Sequence, residues 1–189
     1  MFDIVLNEKL IKKAKELGFD KMFFLDKNLI IKTDNLNELM KKISSFHSKG
    51  LPIIILGNND EINRKVLEDK RSDLLLNPEE TRKKDFTHQR NSGLNQVLCK
   101  FAEKNNAKIG INLSSLSRIK GKERALKLGR ITQNIRLARK YKTKLLLASF
   151  AETENELFSK YQLRTLGEAF GMTPSQSIQS LKTAEEIFK

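Results

Sequence analysis

Short, continuous apolar runs alternate along this chain with stretches whose apolar residues return every three or four positions. The runs at 3–6, 21–25, 29–31, 52–56, 74–76, 108–112 and 144–149 predict about seven β-strands. The runs at 52–56 and 74–76 are apolar throughout, as expected of strands covered on both faces. Between them lie helix-period stripes. Leu10, Ile11, Ala14 and Leu17 follow Asn7 and end at Gly18; Leu36, Leu39, Met40, Ile43 and Phe46 follow Asp34 or Asn35 and end at Gly50. Short polar side chains before a stripe satisfy the free N–H groups of a first turn, and glycine ends it in a left-handed residue.

The pattern continues to the C-terminus. Ile62, Val66 and Leu67 follow the turn Gly57-Asn58-Asn59-Asp60, which lacks the spaced glycines and Lys-Ser/Thr pair of a phosphate loop. Leu94, Val97, Leu98, Phe101 and Ala102 predict a helix capped by Ser92. The segment 113–120 reads as irregular, 122–141 as a long helix with Leu128, Ile131, Ile135 and Ala138 facing the core, and 151–160 as a loop with a possible helical turn. A helix at 163–170 stops at Gly171, and Thr173-Pro174-Ser175-Gln176 opens a last helix carrying Ile178, Leu181 and Ile187. The pair 21–25 and 29–31, joined by Asp26-Lys27-Asn28, reads as a hairpin. Strands alternating with amphipathic helices predict an α/β fold with a parallel sheet.

With 189 residues and 39% apolar content the chain suits one domain, residues 1–189, with one core. Cys99 is alone, so no internal disulfide forms, which fits a reducing, cytoplasmic setting. No stretch approaches the roughly 18 apolar residues of a membrane span, and the first residues do not read as a signal peptide. Charge changes the picture most. Lys and Arg number 36 against 23 acids, for a net +13. Residues 118–144 hold eleven basic residues and one acid, Glu123, a net +10. That concentration points to a polyanion, and above all to nucleic acid.

Candidate chemistry within the protein is sparse. Two histidines, His47 and His88, and one cysteine cannot supply the usual ligand set of a zinc hydrolase. Cys99 lies too far along its helix from His88 for a nucleophile pair. A Mg²⁺-dependent barrel hydrolase acting on a phosphorylated substrate is the competing reading, with the basic face holding the phosphate. Arg136, Arg139 and Lys140 fall on the outer face of the long helix, and Arg118 and Lys144 bracket the basic window. Arg90, with His88 beside it, hangs at a helix mouth suited to an anion. There is no Trp and most Phe positions are apolar-face positions, which argues against base stacking and for backbone contact. Phe158 and Tyr161, in a polar stretch, are candidates for a partner interface.

The stretch Asp85-x-x-His88-x-Arg90-Asn91-Ser92-Gly93-Leu94-Asn95-x-Val97-Leu98-x-Lys100 resembles protein component 3 of ribonuclease P, as found in archaea and eukaryotes. Ser72-Asp73-Leu74-Leu75-Leu76, Ile109-Gly110-Ile111 and the segments 130–141, 145–151 and 163–172 fit the same family in order. Gln96 stands where many members carry His, and Phe150 where a small residue is expected. The resemblance implies a TIM-barrel-like fold, short or incomplete at this length. It implies an RNA-binding subunit of an enzyme that removes the 5′ leader of precursor tRNA. Catalysis is then expected to lie with the ribonuclease P RNA and its Mg²⁺, with no cofactor bound by the protein. The small component 2 subunit and the other protein subunits are the implied partners.

Overall fold

A computed structural model describes residues 1–81 and 83–188. Among the described residues seven strands occur, all paired in parallel: β1 Phe2–Val5, β2 Lys21–Phe24, β3 Ile30–Ile31, β4 Ile54–Leu56, β5 Leu74–Leu76, β6 Lys108–Asn112 and β7 Leu145–Ala148. Two ladders result, β1-β2 and β3-β4-β5-β6-β7. Residues just past β7 join them. Val5 bridges Ala151, the Phe150 N–H donates to the Ile4 carbonyl at 2.8 Å, and the Leu6 N–H donates to the Ala151 carbonyl at 2.8 Å. The strand order is that of a TIM-like barrel closed everywhere except between β2 and β3. The hairpin expected there is absent. Asp26 caps a 3₁₀ turn at Lys27–Leu29, and β2 and β3 instead pair in parallel with β1 and β4.

Each strand buries both faces, which is why the strands read as unbroken apolar runs. Ile4, Phe23, Ile30, Ile54, Leu74, Leu76, Leu146 and Ala148 point inward and pack together. Val5, Met22, Ile31, Ile55, Leu75, Ile109, Ile111 and Leu147 point outward and pack under the helices. Full burial of one such side chain contributes about 1.5–3 kcal/mol. Gly110 sits at an inward position of β6. A methyl group there would lie 2.8 Å from a Leu76 methyl and 3.1 Å from one of Leu74, so glycine leaves the space those leucines fill. Phe150 turns with φ +49° at the end of β7 and is wholly buried in the same interior, so the bulky departure from the family pattern acts as filler.

The helices are α1 Leu36–Ser48, α2 Asp60–Glu68, α3 Gln96–Lys104, α4 Leu113–Ser117, α5 Gly121–Lys140, α6 Lys160–Ala169, α7 Pro174–Ser180 and α8 Ala184–Ile187. Asparagine starts several of them: Asn35, Asn59, Asn95 and Asn112 each accept backbone N–H bonds in the first turn. Four local expectations change. The stripe after Asn7 forms a 3₁₀ turn, Glu8–Lys13, with i→i+3 bonds to Leu10 and Ala14. The segment taken as irregular after β6 is helix α4, because Asn112 caps it. The last helix is two pieces, α7 and α8. Helix α3 starts at Asn95, not Ser92. Gly93, at φ +73°, lies against Pro78 so closely that a β-carbon would fall 1.8 Å from the Pro78 carbonyl oxygen; that contact holds 91–94 as packed, non-helical backbone.

Helix α8 closes the N-terminal end of the barrel. Phe188 stacks on Phe23 with ring centres 5.4 Å apart, and Ala184 and Ile187 join the interior cluster. Lys108, buried at the start of β6, lies 3.7 Å from Glu186, and burial pushes its ammonium below the ordinary lysine range.

Candidate nucleic-acid interface

Helix α5 organises the site. It runs along the outside of the barrel and buries Ile131, Ile135 and Ala138. Arg130 and Asn134 are buried with them, two turns and one turn before Ala138 on the same edge. Arg130 is the anchor of the loop that follows β5. Its guanidinium donates to the Asp85 carboxylate at 2.8 Å and to the carbonyls of Glu79 at 3.2 Å, Thr81 at 3.1 Å and Lys83 at 2.7 Å. Asn134 donates to the Ser92 carbonyl at 2.9 Å, and Gln133 to the Arg90 carbonyl at 3.0 Å and the Ser92 hydroxyl at 2.9 Å. Ser92 therefore serves α5 rather than α3.

This scaffold sets the position of Arg90. Its guanidinium lies across Gly129, where a β-carbon would fall 2.3 Å from Cζ. Asp85 Oδ2 stands 3.7 Å from the Arg90 guanidinium, and Asp85 Oδ1 also accepts from the Asn91 N–H at 2.9 Å. Burial works against ionisation of Asp85, but the Asn91 N–H, Arg130 and Arg90 outweigh it and hold the carboxyl below its ordinary range. Arg90 keeps half its side chain in solvent at 49%. Positions 129, 133, 136 and 140 follow at i, i+4, i+7 and i+11 and so share one face of α5. Arg90, Arg136 and Lys140 are thereby brought onto one surface, and Arg136 and Lys140 are exposed. His88 is exposed on the same loop.

The other expected contacts are differently placed. Arg118 forms a bidentate pair with Glu156 at 2.6 and 2.9 Å and reaches Glu152 at 3.1 Å, tying α4 to the loop after β7. Arg139 donates to the Gln176 side chain at 2.8 Å and to the Gly171 carbonyl, fastening α5 to the α6–α7 corner. Lys144 pairs with Glu186 at 2.8 Å beneath the barrel. Their donors are engaged within the fold, although all three side chains remain partly in solvent. Phe158 is half-buried and lines an apolar groove of about 330 Å³ with Leu113, Leu116, Leu128, Leu166 and Phe170. Tyr161 is 71% exposed at the start of α6 and does not line that groove.

Sequence reasoning missed Arg130, Asn134, Gln133, Gly129 and Asp85. A signal existed for the first two: Arg130, Asn134 and Ala138 are spaced i, i+4, i+8 beside the core stripe. Nothing local marks the meeting of Arg90 with Gly129, which depends on two segments far apart in the chain.

Barrel-type metal chemistry finds little here. Among the described residues no three His, Cys, Asp or Glu side chains gather to hold a metal ion. Glu79 is buried behind the end of β5, and burial, against the pull of Lys127, pushes its carboxyl up to about 7. Lys127 is taken by Glu80 at 2.5 Å and Ser115 at 2.9 Å. Cys99 is buried, and its thiol is pushed up to about 11 by burial, against a hydrogen bond with Thr143, so it is no nucleophile. No helix of the described residues is long and apolar enough to cross a membrane.

A parallel α/β barrel with a basic helix face, braced from within by a buried arginine, is the class that fold and site define. Residues 27–189 match the family model of RNase P subunit p30, and the chain belongs to that family. It is 30% identical over 180 residues to ribonuclease P protein component 3 of Methanosarcina acetivorans, covering 95% of this chain and 72% of that protein. The same protein of Methanosarcina mazei is 30% identical over 177 residues, covering 94% and 71%. Among solved structures, a chain in the cryo-EM structure of archaeal ribonuclease P with mature tRNA superposes with a TM-score of 0.82 at 26% identity, covering 99% of this chain and 89% of that one.

Proposed function

We propose that this chain is the RNA-binding protein subunit of a ribonuclease P ribonucleoprotein, which removes the 5′ leader of precursor tRNA in the cytoplasm. The RNA carries the hydrolysis with Mg²⁺, and the protein supports the catalytic part of that RNA. We assign the Mg²⁺ to the RNA; among the described residues no three His, Cys, Asp or Glu side chains gather as a ligand cluster. The protein's contribution is electrostatic. Lys and Arg side chains neutralise phosphates and release condensed counterions, which lets a folded RNA compact.

One observation carries the reading: Arg90, Arg136 and Lys140 share one outward face, and Arg90 is held there by Gly129 and Asp85. Arginine on such a face offers planar, bidentate contact to phosphate. Family membership and the match to a subunit-sized chain of an archaeal ribonuclease P support the same conclusion over a Mg²⁺-dependent barrel hydrolase.

The apolar groove at Phe158 is the surface we assign to the component 2 partner, and Tyr161, exposed outside that groove, is a second candidate contact. Phe158→Ala should weaken that pairing at least tenfold in a direct binding assay with no loss of RNA affinity. Unchanged pairing would move the partner elsewhere. The overall reading is tested by purifying the chain from its native host and sequencing what comes with it. The expected result is one abundant RNA able to cleave precursor tRNA when reassembled with its proteins, and no cleavage by the protein alone. Recovery of proteins without RNA, or cleavage by RNA-free protein, would overturn it.

A further inference from the structure

The loop that holds Arg90 also shapes a cleft of about 300 Å³ against α2 and the start of α3. Phe86 and Leu94 are among its apolar walls, and Arg64 and Arg90 among its cationic ones. Phe86 is 68% exposed, which is costly for an unpartnered phenyl ring. The ring is not on a loose segment. The Phe86 N–H donates to the Gln89 carbonyl at 2.8 Å, and its neighbour Asp85 is fixed by Arg130 and the Asn91 N–H. The Asn91 side-chain nitrogen, in the cleft wall, is buried with no acceptor among the described residues. Asn95 also lines the cleft, so the N-terminus of α3, whose first N–H groups have no intrahelical partners, opens on it.

We propose that this cleft takes one unpaired nucleotide of RNA, its base stacked on Phe86 and its phosphate between Arg90 and Arg64. The volume of about 300 Å³ admits a base. Two guanidiniums, that of Arg64 bonded through Nε to Glu68 at 2.7 Å in an exposed pair, and a helix N-terminus beside one aromatic face match a nucleotide, which is apolar on its base faces and anionic at its phosphate. A peptide side chain would use the ring but leave that charge unanswered. Asp60, also in the wall, is already neutralised by Lys83 at 2.6 Å and does not oppose the phosphate. Composition argued against base stacking because most Phe positions lie on apolar faces, and Phe86, 68% exposed, is an exception to that placement. The inference rests on the RNA-binding reading above and adds to it a single-stranded element.

The chain contains no Trp, so Phe86→Trp places a single reporter in the cleft. Fluorescein-labelled oligouridylate and oligoadenylate of about six nucleotides, within the range one such groove tracks, are titrated against the 189-residue chain at low salt, beside a blunt RNA duplex of equal length. Binding is followed by anisotropy and stacking by Trp emission. The expected result is strong quenching by the single strands and none by the duplex. Phe86→Ala should weaken single-strand binding about fivefold or more, with the slope of log affinity against log salt unchanged. If single strands bind but emission does not move and Phe86→Ala binds equally well, the base site is wrong and the RNA reading stands. If no RNA binds, both fall. If emission shifts with an added ribonuclease P protein subunit and not with RNA, Phe86 is a protein contact and the proposal is overturned.

Discussion

Asp3 and Ser149 close the barrel. Asp3, on β1, accepts the Ser149 N–H at 2.7 Å and the Ser149 hydroxyl at 2.6 Å, and both residues are wholly out of solvent. Burial outweighs these bonds and pushes the Asp3 carboxyl up from 3.8 to about 6. The folded state therefore holds a proton that the unfolded chain has released. Stability should fall as pH rises from about 4 to about 6, by on the order of 3 kcal/mol from this group. Asp3→Asn keeps an acceptor for the Ser149 N–H and has no charge to bury. Its unfolding free energy relative to the wild type should rise across that pH window in denaturant titrations. A constant difference across the window would mean that Asp3 does not titrate there.

Gly129 is a seat for another residue's side chain. Gly129→Ala should leave the fold intact or stabilise it, since Ala is favoured over Gly in a helix by about 1 kcal/mol and the displaced group is the free end of a flexible arginine. The same change should lower cleavage by the reconstituted complex about as much as Arg90→Ala. The double variant should be no worse than either single one, because the two act as a unit. An additive double variant in a titration of complex assembly would separate Gly129 from Arg90.

Arg130 carries the loop after β5. Arg130→Ala takes a donor from the partly buried Asp85, which keeps the Asn91 N–H and Arg90, and leaves three carbonyls without theirs, a loss of about 3 kcal/mol. The thermal midpoint should drop, and limited proteolysis should cut first within the loop between β5 and α3. Arg130→Lys keeps the charge but cannot reach four acceptors, so it should fall between the two. Equal midpoints for all three proteins would show that the loop does not depend on this side chain.

The strands and helices of a parallel α/β fold were legible because their signals are local, whereas the closing of the sheet into a barrel came only from the family resemblance. Runs such as 74–76 are apolar on both faces, and capping residues such as Asn35, Asn59 and Thr173 act within one turn. The site was half legible. Arg90 stood out as a charged residue in a polar loop, and Arg136 with Lys140 followed from helical period. The division between free and occupied cations was not legible, because Arg118, Arg139 and Lys144 find their partners at Glu156, Gln176 and Glu186, dozens of residues away. The missing hairpin has the same origin. The turn after Asp26 looks the same locally whether its flanking strands pair with each other or with β1 and β4.

Arg90, Arg136 and Lys140 meet RNA phosphates on this account, while Arg118, Arg139 and Lys144 hold the fold. The most direct test is the salt dependence of RNA affinity for two triple-Ala variants, one of each set, measured beside their thermal midpoints. Replacing Arg90, Arg136 and Lys140 should weaken binding and flatten the slope of log affinity against log salt by roughly 0.7–0.9 for each phosphate left without its cation, with little change in midpoint. Replacing Arg118, Arg139 and Lys144 should lower the midpoint and leave most of the slope. An unchanged slope in the first variant, or a greater flattening in the second, would contradict the account.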